Sequence, residues 1–417
     1  MRILLGAQSC GYGPISKLVA VSRMLHGHRR TFRGETVAAD FARRNSEAFD
    51  EIVDGAASAH TDLLRSSDYI ISVMDADLVF QAYSAGRPAM MIDSLLSFWQ
   101  LRRPSAAISE LCDVAPRGDY RALIQHFADL SPHERIYAAH LLADVSLVQN
   151  FPGVPERAQD IADLSTGQVY VTGPITDKTG LHDANARTGS GFDLLINLGG
   201  FKNFLLDYDR HNTYLMLFDR WVPDLLRDWP AFRRVAVCSG GFGQGREHQV
   251  EVGGSVAEFT CMPQREFLRE VATAQHYMLT PGLTAIHEAI QLEQMPLALP
   301  EQHYGHIVNV ESLADTLFAK QATRFTQLID GYCAPPDDFE GTAAIVRQVG
   351  RLLEDDGAYT RFRRGMNEAI EAFVATSANE RADGVAELRN LLRGPSFHDI
   401  VSGIFASPSA QLIGRAQ

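Results

Sequence analysis

Short apolar runs recur along this chain, and most of them stop at glycine or proline. Arg2–Ala7, Tyr69–Met74, Ala89–Ile92 and the stretches 168–175, 193–200, 233–243, 257–262, 276–280 and 296–300 are such runs. Between them lie segments with helical spacing. Ile15, Leu18, Val19, Ser22 and Leu25 line one face of the first, and Pro14 suits its opening turn. Further helices are predicted over 77–85, 214–226, 265–273 and 283–292, and from about Gly341 onward. A short, continuously apolar strand is buried on both faces. Strand, helix and strand in succession require a crossover. The alternation therefore predicts an α/β protein with parallel sheets covered by helices on both sides.

The rhythm runs twice. Turn-forming residues at 150–155 and a polar, glycine-rich stretch at 176–191 interrupt it. The expected domains are 1–165 and 166–390, with 391–417 a closing segment, which suits a chain of 417 residues. The formal net charge of −13 argues against a non-specific nucleic-acid binder and against an anionic membrane surface as partner. No apolar run reaches the roughly 18–20 residues of a membrane span. The opening MRILLGAQ reads as a first strand rather than a signal peptide. Five scattered cysteines, with no Cys/His cluster, indicate neither zinc nor a disulfide framework, and a reducing cytoplasm is the expected location.

In parallel α/β sheets, ligands bind at the carboxyl ends of the strands. Four such junctions carry glycine: 11–14, 198–203, 239–245 and 280–284. Each is either a tight turn or a place where backbone approaches a ligand. None is a Walker A loop, and the turn at Gly11 and Gly13 lacks the third glycine of a dinucleotide fingerprint, which disfavours a nicotinamide dehydrogenase. The stretch 280–309 is the most specific. A strand ends at Pro281-Gly282, a helix begins at Leu283 or Thr284, Glu288 follows one turn inside, and Gln302 and His303 lie beyond the next strand. Phosphate would sit on the helix N-terminus, with Glu288 accepting from two ribose hydroxyls.

This stretch resembles the donor-binding signature of GT-B glycosyltransferases. The likeness is greatest to the lipid II-forming N-acetylglucosaminyltransferase and UDP-glucuronosyltransferase-like enzymes. Gly282, Thr284, Glu288, Ala289, Pro296 and Pro300 match, while Gln294 or Met295 replaces a family glycine. Upstream, Pro263, Gln264 and Leu268 match the turn on which the nucleotide base lies, with Cys261 or Met262 in place of an aromatic. Gly199, Gly200 and Lys202 resemble the family's first glycine turn, and Ser239, Gly240 and Gly241 its diphosphate loop. The resemblance implies two Rossmann-like domains facing across a cleft, donor in the second and acceptor in the first. It implies a UDP-sugar cosubstrate and no resident cofactor or metal. The partners implied are small molecules, and a homodimer is one assembly open to it.

Many relatives place a histidine after the first strand as base, and none stands here. The candidates are Asp77 (with Asp75 beside it) and Asp93, each otherwise a helix cap, and Tyr12, better suited to contact an acceptor. Asp93 opens a segment holding Phe98 and Trp99, which suit a planar acceptor alongside Gly11 and Gly13. Segments 11–18 and 93–99 are similar to bacterial enzymes that attach glucuronic acid to cytosine in nucleoside-antibiotic pathways. Arg246, like Lys202, is either a counter-charge for diphosphate or a solvated surface group. Two other readings stand: a nucleotide-sugar 2-epimerase, which shares the fold, and a non-catalytic glycosyltransferase-like auxiliary protein.

Overall fold

The structure, a computed structural model, describes residues 1–55, 61–185, 191–200, 212–240 and 247–406. The expected donor groups Lys202, Gly241 and Arg246 therefore lie outside the described residues. The chain divides into two compact units, Met1–Asp177 with Leu391–Gln417, and Lys178–Asn390.

The first unit holds strands β1 (Arg2–Ala7), β2 (Arg29–Gly34), β3 (Glu51–Asp54), β4 (Tyr69–Val73), β5 (Ala89–Asp93), β6 (Val145–Gln149) and β7 (Gln168–Thr172). Their order among the described residues is β3-β2-β1-β4-β5-β6-β7, and every pairing is parallel. β4, β5 and β6 are buried along their whole length, as a sheet covered on both faces requires. β2 was not apparent in the sequence because three arginines interrupt it. Folding hides two of them: Arg30 pairs with Asp50, and Arg33 donates to Gln81 Oε1 at 3.0 Å.

The expected boundary at 165 is corrected to 177. β7 belongs to the first sheet, and Ile175 N–H donates to Gln149 Oε1 at the end of β6. Asp177 pairs with Arg23 on the helix Tyr12–Met24. The segment from Leu391 also belongs to this unit. Gly173 N–H and the Thr172 hydroxyl both donate to the Pro395 carbonyl. Gly173 and Gly394 meet backbone to backbone, where a Cβ on Gly394 would stand 2.5 Å from Gly173 N. The helix Phe397–Ala406 follows and places the Phe405 ring against Tyr69.

The second unit holds β8 (Leu194–Asn197), β9 (Arg234–Cys238), β10 (His248–Val252), β11 (Ser255–Thr260), β12 (His276–Leu279) and β13 (Leu297–Ala298). The order is β10-β11-β9-β8-β12-β13, parallel except for the β10–β11 hairpin. Long helices at Asp338–Glu354, Asp356–Ala375 and Ala378–Leu391 complete it, as the amphipathic pattern predicts. Among the described residues, no helix is long and apolar enough to cross a membrane.

One buried cluster pins the first unit. Asp93 and His140 are both fully buried. Asp93 accepts from Leu95 N–H (2.6 Å), from the Trp99 indole, and bonds His140 Nε2 at 3.1 Å, while His140 Nδ1 meets Ser146 Oγ at 3.0 Å. The spacing imitates a Ser-His-Asp relay, but all three groups are sealed from solvent. Removing the imidazole leaves a dry carboxylate short of a donor beside a new void. His140→Ala should therefore cost ~3–5 kcal/mol, read as a lower urea midpoint for the transition of this unit. A loss under about 1 kcal/mol, the worth of one ordinary hydrogen bond, would refute this role.

Candidate functional site at the carboxyl edge of the second sheet

β8 is the first strand of its sheet, and its neighbours β9 and β12 lie on opposite sides. The chain leaves β8 toward β9 on one side and later crosses from β11 to β12 on the other, so the strand order reverses at β8, the position where a parallel sheet opens a crevice at its carboxyl end. The turns there are tied together. Asn197 Oδ1 accepts from Gly199 N–H at 2.9 Å, and its amide nitrogen donates to the Tyr277 hydroxyl at 3.0 Å. Gly240 N–H donates to the Gly199 carbonyl at 2.8 Å. Gly199 has φ +66°, a left-handed conformation that glycine adopts without cost.

β12 leads into Thr280-Pro281-Gly282 and the helix Leu283–Gln291. Gly282 is the N-cap, and no side chain caps this helix. Its first-turn amides carry the positive end of the helix dipole. The Pro281 carbonyl is held by Asn309 Nδ2 at 2.8 Å. Glu288 sits on the same helix, buried, and accepts from Gln264 Nε2 at 3.2 Å. Pro263 caps the helix that Gln264 begins, directly after β11.

Beyond β13, Gln302 is 3% exposed, and neither its amide oxygen nor its amide nitrogen has a hydrogen-bond partner among the described residues. Its backbone N–H meets His306 Nδ1 at 3.3 Å. The other nitrogen, His306 Nε2, lies 3.6 Å from where a Cβ on Gly282 would stand. The Gln302 backbone, the His306 imidazole and the uncapped helix start are thus neighbours. The His303 ring lies 3.9 Å from that of His306, centroid to centroid. Burial lowers His303 to about 4, and burial with His303 beside it holds His306 well below the ordinary imidazole value. Both rings are neutral at pH 7 and serve as hydrogen-bonding groups.

The loops holding Gly199, Gly200, Ser239, Gly240, Met262, Gln264, Pro281, Gly282, Leu283, Thr284, Glu288, Gln302 and His303 all follow strands that run parallel, so they share one edge of the sheet. Sequence reasoning missed Asn197, Tyr277 and Asn309, which touch the turns from outside any motif.

The first-unit candidates fare differently. Asp93 is neither a helix cap nor an exposed base, because the chain after it forms a turn and its carboxylate is consumed inside the core. Phe98 and Trp99 are buried with it, and their rings pack on each other and on His133. Asp75 is an N-cap, accepting from Leu78 N–H at 3.2 Å, and burial raises its pKa. Asp77 is half-exposed and bridged to Arg135 at 2.5 Å. Gly11 caps the helix that Tyr12 begins and Gly13 continues, and the Tyr12 ring lies 4.8 Å from that of Phe41.

No protein-family model and no curated protein matches this sequence. Solved structures do. LpCGTa in complex with UDP is 15% identical over 98% of this chain and 100% of its own, with a TM-score of 0.50. TcCGT1 in complex with UDP (13%, 100% of both chains, TM-score 0.49) and the spinosyn forosaminyltransferase SpnP (13%, 99% of both, 0.49) are also similar. The likeness is one of fold: two mostly parallel α/β sheets with their helices, as in GT-B structures.

The lowered His306 has a measurable consequence. An unfolded imidazole titrates near 6.5, so below that pH the unfolded chain binds the proton that the folded chain refuses. The contribution to stability is complete above about 6.5 and declines as pH falls, by up to ~1.4 kcal/mol per pH unit for one such group. Urea unfolding at pH 7.5, 6.5 and 5.5 should show wild type losing stability more steeply than His306→Asn. Parallel profiles would refute the assignment.

Proposed function

We propose that this protein transfers a sugar from a nucleoside diphosphate donor, UDP-linked, to a small acceptor. The observation that carries the reading is Gln302: a buried side-chain amide with neither polar atom partnered among the described residues, on a residue whose backbone bonds a neutral imidazole next to an uncapped helix start. Leaving a buried polar group unsatisfied costs about 1–3 kcal/mol. A ligand bearing hydroxyls recovers that cost by supplying both a donor and an acceptor. Glu288, on the helix Leu283–Gln291 and bonded to Gln264, is the carboxylate suited to ribose hydroxyls.

As the bond between the anomeric carbon and the diphosphate breaks, negative charge grows on the leaving group. The amides at Gly282–Thr284 are already aligned to stabilise it. His303 and His306 donate hydrogen bonds without adding a charge that must be desolvated. The similarity in fold to LpCGTa, solved with UDP, supports a nucleotide on this edge. The narrower reading, UDP-glucuronate with cytosine, rests on the resemblance of segments 11–18 and 93–99. With Asp93 sealed, Asp77 and Tyr12 remain as its acceptor-side candidates.

A melting-point panel of UDP, TDP, GDP, ADP and NAD tests the reading. UDP should raise the melting temperature. Gln302→Ala and Glu288→Gln should each weaken UDP-sugar binding about tenfold, a difference of ~1.4 kcal/mol. Folded protein that no nucleoside diphosphate stabilises would overturn the proposal. A glycosylated product from another acceptor, with none from cytosine, would remove only the narrower reading.

A further inference from the structure

The amino ends of β4, β5, β6 and β7 border a half-open cavity of about 950 Å³. It lies entirely within the first unit. Its wall includes Tyr69, Ala89, Val145 and Gln168, the first residues of those four strands. The turns at Gly11 and Gly13 and after Val73 stand at the other end of the same sheet. A five-residue strand separates the two ends by about 13 Å at ~3.3 Å per residue. The cavity is therefore distinct from any site at the carboxyl edge.

The closing helix Phe397–Ala406 makes one wall. Phe397 and Val401 are buried, while Asp399, Ile400, Gly403 and Ile404 line the cavity. The volume lies in the range of small-molecule sites, about 300–1,000 Å³. Three phenol rings line it, from Tyr69, Tyr83 and Tyr170. Tyr83 carries the Arg117 guanidinium over its face at 4.7 Å, and Arg87 donates to the Arg65 carbonyl. Against these two cations stand Asp113, Asp144 and Asp399. The signs nearly balance, so the lining discriminates against a strongly charged ligand of either kind. The Ser165 hydroxyl, on the wall, is buried with no hydrogen-bond partner among the described residues. It is a polar group that an incoming hydroxyl satisfies.

We infer that this cavity is a second binding site, for an uncharged aromatic molecule that bears hydroxyl groups. The half-buried Tyr83 and Tyr170 rings supply stacking surface, the Leu141, Leu164 and Ile404 side chains an apolar floor, and Ser165 a polar contact. This inference does not depend on the proposed transfer reaction.

The probe is 4-methylumbelliferyl β-D-glucoside, titrated calorimetrically into the full chain, with the anionic dye 8-anilinonaphthalene-1-sulfonate for comparison. Saturable binding at one site per chain is expected, tighter than that of the dye. A Cβ on Gly403 meets nothing within 4 Å, so Gly403→Trp fills the cavity without a backbone clash. It should weaken the glucoside at least tenfold without lowering the melting temperature. Ser165→Ala, a near-isosteric change, should weaken it about three- to tenfold and keeps the test valid if the tryptophan variant folds poorly. No saturable binding, binding indifferent to both variants, or tighter binding of the dye would each overturn the inference.

Discussion

Everything at the candidate site depends on β8 being paired on both sides. β9 and β12 flank it, one reached from β8 itself and the other from β11, so the strand order reverses there, the position where a parallel sheet opens a crevice. The groups gathered there come from far apart in the chain, yet each follows a strand running in the same direction. A parallel sheet thus converts several unrelated strand-to-loop junctions into one edge. The Asn197 side chain, clamped between Gly199 N–H and the Tyr277 hydroxyl, bridges from β8 to its neighbour.

Among the described residues, the groups around Gly282 other than Glu288 are neutral and buried. His303 and His306 are kept neutral by burial, and Gln302 holds its side-chain amide away from water without a partner among the described residues. The helix dipole at Gly282 supplies fixed partial charge. Such an arrangement gains when a ligand brings its own hydrogen-bonding groups, and it pays little reorganisation when charge develops. The buried Asp93–His140–Ser146 cluster shows the opposite use of similar residues. There every partner is internal, so the same types of side chain hold a fold together and have nothing left for a ligand.

Much of the second unit was legible because its signals are local. Apolar runs ending in glycine marked β8, β9 and β12, and Gly282 and Glu288 announced their helix by spacing alone. β2 was hidden by arginines that become buried through Asp50 and Gln81, contacts that no local pattern reveals. β7 was assigned to the wrong side of the boundary because a lone strand carries no record of which sheet it joins.

The sequence by itself determined the alternation of strand and helix, and with it the parallel sheets and the edge at which the glycine junctions gather. Those follow from side-chain periodicity and from glycine, which act over a few residues. Tertiary structure alone decided what each polar group does there. Asp93 ends one buried strand and Gln302 follows another, and both are polar residues at strand ends. Asp93 meets the Trp99 indole and the His140 imidazole and is spent, whereas the Gln302 side-chain amide is buried without a partner among the described residues. The difference lies in long-range packing, because burial fixes which hydrogen bonds remain unmade.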